Sequence, residues 1–441
     1  MKRLSFYLYA AGSAGLNLLN LFLLTKILFF HDARLGPAFT PLFLAAGALG
    51  IGRVVDAFLD PLLGLLSDRL ARRYSRGGRG WMMGASLPLM ALAFLGIWHP
   101  PFSALLPTAP MAHGHLMNFL FLLAAVNLYF IAYAAYGVPY DALLAEIATD
   151  PPARLRASRF KALAGLIGVV LALPLLSRGD IPQMGLIALA IATPLLVMPL
   201  FVLPRQASEL AQTRPPAQIF FLRRLFADKA FLLFALTVFF MESAGNLFLK
   251  WIEYFNRHVL PASGGFLPPG ARQGFLYGIF ALSMALGLLF WEKRSDGKRQ
   301  LHLLSIAALL LAFIFPFSAL PGALPAAWAE AAALGYFAAV GFVYAAVALF
   351  SIAIMATHAS RLSDGPGASA LHVGAWAFAR KTGLAAGGLS FALFLDLTRR
   401  WGVPQAGYAH SGLVMALFAL GAYLLLRRMA QAGAREAAAG L

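Results

Sequence analysis

The sequence predicts an all-α membrane protein: twelve transmembrane helices in two six-helix bundles, with both termini in the cytoplasm. Three observations carry that expectation. The composition is too apolar for a water-soluble chain of this length, the apolar residues gather into twelve long runs, and a basic polar stretch parts those runs six and six. Of 441 residues, 61% are hydrophobic and only 12% are charged, so lipid rather than water must solvate most of the chain. The runs do not alternate with a period of two. A helix needs roughly 20 apolar residues to cross a bilayer core, and only helices and closed barrels satisfy the backbone there.

In chain order the first six runs are Leu4 to Phe30, Phe39 to Leu66, Trp81 to Trp98, Leu116 to Val138, Phe160 to Ser177 and Met184 to Leu203. The first is too long for a removable leader and lacks a small-residue cleavage site, so it reads as a retained helix. The second six are Ala230 to Phe255, Gly274 to Trp291, Leu301 to Leu320, Ala326 to Thr357, Leu371 to Asp396 and Val414 to Arg427. Between the sets lies the polar segment 204–229, with Arg205, Arg214, Pro215, Pro216, Arg223 and Arg224. The expected organisation is therefore a bundle over 1–203, a cytoplasmic linker over 204–229 and a second bundle over 230–441, as two parallel repeats require. A weak internal match supports duplication. Gly64-Leu65-Leu66 leads into a charged hairpin in the first half, and Gly287-Leu288-Leu289 leads into Glu292-Lys293-Arg294 in the second.

The formal net charge is +17, yet the basic residues are dealt out loop by loop, which argues against nucleic acid as a partner. With the N-terminus inside, 24 of the 35 Lys and Arg fall in cytoplasmic segments and 6 in external loops, the asymmetry of the positive-inside rule. There is no cysteine, hence neither a disulfide nor a thiolate metal site. No Gly-rich phosphate loop occurs, and His113 and His115 suggest no metal-ligand geometry. No cofactor is expected. Nor is an enzyme, because the apolar runs hold no nucleophile with an attendant base.

Ionisable residues inside the runs are the functional candidates, since each is costly unless paired or hydrated. Arg53, Asp56 and Asp60 share one stripe of the second helix. Two carboxylates four residues apart repel when both are ionised, which suits a site that takes up a proton or a cation; the competing reading is an ion pair that only locks helices. Arg380 and Lys381 stand near the middle of the eleventh helix and need acidic partners, for which the second helix offers candidates. On the seventh helix, Lys250 and Glu253 can pair as an external gate or snorkel to the interface, whereas Glu242 stands deeper and alone, a candidate substrate or proton ligand or else the acceptor of an interhelical hydrogen bond. Asn17, Asn20, Asn127, Tyr133, Tyr136 and Tyr140 could line a cavity, although packing between helices is the commoner role for any one of them, and Trp251 or Trp376 could stack on a sugar ring or a lipid tail or sit in an interfacial belt. Asp68, Arg69 and Arg72 in the cytoplasmic hairpin are candidates for a conformational latch.

These residues carry a resemblance. The segment Arg53-Val54-Val55-Asp56-Ala57-Phe58-Leu59-Asp60-Pro61-Leu62-Leu63-Gly64 resembles the second-helix signature of the glycoside-pentoside-hexuronide:cation symporter family, a branch of the major facilitator superfamily. Val138-Pro139-Tyr140-Asp141-Ala142-Leu143, the stretch Arg154 to Lys161, and Ala379-Arg380-Lys381-Thr382-Gly383 are similar as well. The resemblance implies a major facilitator fold and a cation-coupled symporter working by alternating access. Asp56 and Asp60 would bind the cation beside Lys381, with Arg53 and Arg380 balancing charge and with Asp141, Lys250 and Glu253 joining the hairpin residues in gating. Leu59 and Ala134 stand where the family pattern has neutral oxygen ligands, so a proton is favoured over sodium as the coupling ion. Asn17 and Gly137 stand at sugar-binding acid positions. A carbohydrate or glycoside is the first expectation for the substrate and a lysolipid or other amphiphile the second, in a monomer seated in a bacterial cytoplasmic membrane.

Overall fold

In the computed structural model, residues 2–34, 42–74, 78–100, 111–147, 151–176, 179–203, 229–262, 264–268, 270–295, 299–361 and 366–438 are described. Among them the only repetitive structure is helical. The first six long helices are α1 (Lys2–Phe29), α2 (Leu42–Arg73), α3 (Gly78–Trp98), α4 (Met111–Ile147), α5 (Pro151–Leu176) and α6 (Ile181–Val197). The next six are α7 (Lys229–Tyr254), α8 (Arg272–Arg294), α9 (Gln300–Ile314), α10 (Ala326–Arg361), α11 (Pro366–Arg400) and α12 (Pro404–Ala438). Ten helices among the described residues are long and apolar enough to cross a membrane. The two others are α5, whose apolar part is Leu163–Leu176, and α11, which carries Arg380 and Lys381 in its middle.

Several helices outrun their apolar runs. The expected fourth helix ended at Val138, before a proline, but α4 continues through Pro139 to Ile147. Membrane helices absorb such a proline because neighbouring groups answer the freed carbonyl. The twelfth begins ten residues before the expected Val414, since Gln405, His410 and Ser411 dilute hydropathy without breaking the helix. Ser411 shows how a polar residue is accommodated: its hydroxyl donates back to the Gly407 carbonyl at 2.7 Å. Both α1 and α7 close in a π-helical turn, Phe30–Arg34 and Phe255–Val259.

The chain divides into two compact units, Met1–Arg214 and Pro215–Leu441. That division falls inside the expected linker, of which all but Lys229 lies outside the described residues. In the first unit α1 packs on α5 and α6, α2 on α4, and α3 on α4 and α6. In the second, α7 packs on α11 and α12, α8 on α10, and α9 on α10 and α12. The pairing scheme is the same in both, which gives the weak Gly64 and Gly287 match a structural counterpart.

Glycines make the matching contacts close. On α5, a methyl group at Gly168 would overlap the Ala14 carbonyl of α1; on α11, one at Gly387 would overlap the Ser243 carbonyl of α7. Small residues let membrane helices approach until backbone meets backbone, which is where dispersion contacts between helices are gained.

Candidate functional site

The α2 stripe is a buried polar centre within the first unit. Arg53 Nη1 lies 3.6 Å from Asp56 Oδ2, with side chains only 6% and 1% exposed. Arg53 Nη2 donates to Asn20 Oδ1 of α1 at 2.9 Å, and its Cζ sits 4.1 Å from the Phe130 ring centroid on α4. One arginine therefore joins three helices. It spreads its charge over a carboxylate, an amide oxygen and an aromatic face, which is how a guanidinium becomes tolerable away from water. Gly52, beside it, brings α2 onto Val126 and Phe130. Asp60, one turn beyond Asp56, is half-buried, so the two acids differ in access although they share a face.

Other candidates in this unit separate into two groups. Tyr136 and Tyr140 are fully buried, and their hydroxyls donate to the Leu196 carbonyl at 2.6 Å and the Tyr9 carbonyl at 2.9 Å. They tie α4 to α6 and α1, so packing accounts for them better than cavity lining does. Asn127 returns its amide to the Leu123 carbonyl of its own helix at 2.7 Å. Asn17, Asn20 and Tyr133 are half-buried and remain candidates for lining. Asp141 is exposed and pairs with Lys161 of α5 at 2.5 Å. Arg69 is exposed, whereas the side chains of Asp68 and Arg72 lie outside the described residues. The hairpin shows one bond that the sequence reading missed: Arg79 Nη1 to Ser67 Oγ, 2.7 Å, buried. A basic residue directly after Gly77 and Gly78, two places before the apolar run that opens at Trp81, was the available signal.

In the second unit Glu242 does not stand alone: Arg380 Nε of α11 donates to Glu242 Oε1 at 2.8 Å. The glycine seam explains the pairing. Gly383 sets α11 against the Phe239 carbonyl and the Glu242 Cβ, so the two side chains meet across a narrow gap. Trp376, one turn before Arg380, lies under its guanidinium, with 5.0 Å from Cζ to the ring centroid. Lys381 follows on α11 and is half-buried. Trp251 is fully buried and donates to the Tyr408 carbonyl at 2.6 Å, so it is a packing residue and not a stacking platform.

Lys250 and Glu253 near the C-terminal end of α7 are 1% and 2% exposed. Such burial excludes snorkelling. Glu253 accepts from Gln273 of α8 and meets Arg257 at 3.5 Å. Beside it lies a second buried group that spacing alone did not reveal. Arg272 binds the Asn256 side chain and carbonyl, the Pro261 carbonyl and Glu330 of α10, while Glu330 also takes the Leu267 amide at 2.8 Å. This clip ties the segment between α7 and α8 to α10. Among the described residues no cluster of three or more His, Asp or Glu could hold a metal ion.

Comparison with known proteins follows the same lines. A family model described as MFS/sugar transport protein matches residues 8–430. An uncharacterised symporter of Synechocystis is 31% identical over 169 residues, covering 37% of this chain and 29% of that one. The Escherichia coli protein YagG, assigned provisionally by its name to glycoside/cation symport, is 32% identical over 148 residues, covering 31% of this chain and 30% of that one. The chain thus spans about a third of the length of these curated relatives. A crystal structure of a mutant of the nucleoside transporter NupG superposes with a TM-score of 0.71 at 15% identity, over 97% of this chain and 99% of that one. At that identity the likeness is one of fold.

Proposed function

This chain belongs to the MFS/sugar transport protein family, and from that premise we propose that it is a secondary symporter of the bacterial inner membrane. In this reading all twelve long helices cross the bilayer, both termini are cytoplasmic, and the cargo is a small polar solute, a carbohydrate or a glycoside. Asp56 and Asp60 form the coupling site, with a proton as the coupling ion and Lys381 as the basic residue that answers the acids when the site is empty.

The observation that carries the reading is the contrast along α2. Asp56 is committed to Arg53 at 3.6 Å and is 1% exposed, so its charge is held in place; Asp60, a turn away, is half-buried and better reached. A buried pair next to a more accessible carboxylate divides the labour, one acid organising the helix contacts and the other exchanging a proton. The positions that the internal match aligns with them on α8 are Ile279 and Ser283. A fold that manages without acids at the matching place does not need them for packing alone.

Alternating access then links the two ligands. Proton and solute each favour one conformation, so each alters the affinity for the other by the same factor. Proteoliposome uptake under an imposed pH gradient, and separately under a sodium gradient, tests the assignment. Uphill accumulation should follow the pH gradient. Accumulation driven by sodium and indifferent to pH would refute proton coupling, and the absence of any accumulation across a sugar and glycoside panel would sink the carbohydrate reading.

A further inference from the structure

Where α2 crosses α4 in the first unit, two buried polar atoms have no hydrogen-bond partner among the described residues. Arg53 directs Nη1 toward Asp56 and Nη2 toward Asn20, and its guanidinium lies on the Phe130 ring, yet its buried Nε donates to nothing. Tyr129 of α4 is 0% exposed, and its hydroxyl is likewise without a partner. Buried donors are nearly always answered, so each exception calls for an explanation.

The α4 face brings the two atoms into one neighbourhood. Val126, Tyr129, Phe130 and Tyr133 stand at i, i+3, i+4 and i+7 and so share one face of that helix. Gly52 lets this face press on α2, since a methyl group at Gly52 would stand 2.8 Å from a Val126 methyl carbon and 2.9 Å from the Phe130 ring. The Tyr129 ring lies 5.5 Å from Phe130, 5.8 Å from Phe94 of α3 and 5.9 Å from Tyr133, centroid to centroid, which fixes its place among neighbouring rings. Its hydroxyl is close enough for the charges of Arg53 and Asp56 to act on it.

Three kinds of group thus meet at this crossing: a guanidinium N–H that only donates, a phenol that donates and accepts, and a carboxylate whose two oxygens can accept about four hydrogen bonds. The phenol bonds to neither of the others directly. A cation here would be repelled by Arg53 and an anion by Asp56, whereas a small neutral molecule that both donates and accepts suits all three. Water is that molecule, and a buried water typically makes about three hydrogen bonds.

We propose that Arg53 Nε, the Tyr129 hydroxyl and the Asp56 carboxylate hold one buried water, and that Tyr129 is thereby a positioning residue of the coupling site. The water carries the action of the phenol across to Asp56. Hydrogen bonding to the charged carboxylate offsets part of the negative field in which Asp60, one turn away, takes up its proton. Around this place α2 presents Arg53, Asp56 and Asp60, and α4 presents Tyr133, while α1 adds the neutral Asn20 and α3 the Phe94 ring. The role in coupling rests on the symporter reading; the water site does not.

Tyr129→Phe removes one oxygen and keeps every ring contact, so the sign of its effect is decisive. A hydroxyl that is only buried and unanswered destabilises the fold, and its removal should stabilise. A hydroxyl that holds a water against a charged pair stabilises instead. On the full chain, graded SDS unfolding in micelles should therefore show the unfolding equilibrium constant rising about tenfold in Tyr129→Phe. In an Asp56→Asn background the same change should have an effect below about threefold, because the charge that the water answers is gone. Radiolytic labelling in 18O water gives a second readout, since a bound water activated by X-rays oxidises the ring beside it where bulk solvent does not reach. Tyr129 should take up the label; Tyr136, equally buried with its hydroxyl on the Leu196 carbonyl, should not. In proteoliposomes, the pH of half-maximal uphill uptake should move up by about half a unit to one unit in Tyr129→Phe, as the less compensated Asp56 charge draws the proton onto Asp60.

Stabilisation by Tyr129→Phe, an equal effect with and without Asp56, or no label at Tyr129 would each overturn the water site. An unmoved pH profile in a variant that accumulates solute would overturn the positioning role. Failure of the parent to accumulate solute at any pH would sink the symporter reading alone, because unfolding and labelling decide the water site without transport.

Discussion

Asparagine at position 56 would leave Arg53 with the Asn20 oxygen and the Phe130 ring but without the Asp56 charge, and the size of the loss follows from the geometry. At 3.6 Å, two unit charges attract by about 4.6 kcal/mol at an effective dielectric constant of about 20, and by about 1.2 kcal/mol in bulk water. The burial of both groups makes the larger figure the relevant one. The hydrogen bond to Asn20 and the cation–π contact with Phe130 are present in parent and variant alike, so they cancel from the difference. Asp56→Asn should therefore cost about 3–5 kcal/mol, the usual penalty for orphaning one member of a buried pair. Arg53→Gln should cost a similar amount, and the double variant much less than their sum. A double-mutant cycle on apparent stability, by graded SDS unfolding in micelles followed by tryptophan fluorescence, should return a coupling energy of about 3 kcal/mol. Coupling below about 1 kcal/mol would mean that water screens the pair as it screens a surface salt bridge. The division of labour between Asp56 and Asp60 would then lose its basis.

Asp60→Asn, which mimics a permanently protonated acid, should keep solute exchange within about tenfold of the parent while abolishing uphill accumulation under a pH gradient; full accumulation would remove Asp60 from the mechanism. Gly387→Ala forces a methyl group into the Ser243 carbonyl and should cost about 1–3 kcal/mol, whereas Gly137→Ala, with no atom within 4 Å of the new carbon, should be neutral or stabilising by up to about 1 kcal/mol; SDS unfolding compares them, and equal effects would count against the glycine seam. Glu330→Gln should weaken the Arg272 clip and speed proteolysis in the segment between α7 and α8, measured by limited digestion in micelles. Unchanged cleavage would show that the clip does not hold that segment.

The helices were legible because a bilayer imposes one demand, a long uninterrupted apolar run, and the chain meets it nearly everywhere. Misplaced ends trace to residues that lower hydropathy without ending a helix, as Pro139 does in α4 and His410 and Ser411 do in α12. Within the site, the Arg53 and Asp56 contact was readable since its members are three residues apart on one helix face. The partner of Glu242 was not, because Arg380 lies 138 residues away and spacing conveys nothing about which helices adjoin. Arg272 and Glu330, 58 residues apart, were missed for the same reason. The burial of Tyr136 and Tyr140 was hidden too, as an aromatic hydroxyl on a membrane helix reads alike whether it meets a carbonyl or a cavity.

The two units share a packing scheme but not a charge, and that difference has an electrical meaning. Formally, the group Arg53, Asp56 and Asp60 carries −1, while the group Glu242, Arg380 and Lys381 carries +1. A transmembrane voltage acts on each elementary charge with about 2.3 kcal/mol per 100 mV, so it pushes the two groups in opposite directions. Under the proposed coupling, a proton on Asp60 would cancel the first charge and leave the second untouched. The voltage would then act differently on the loaded and the empty protein, and part of the energy for turnover would come from the field itself.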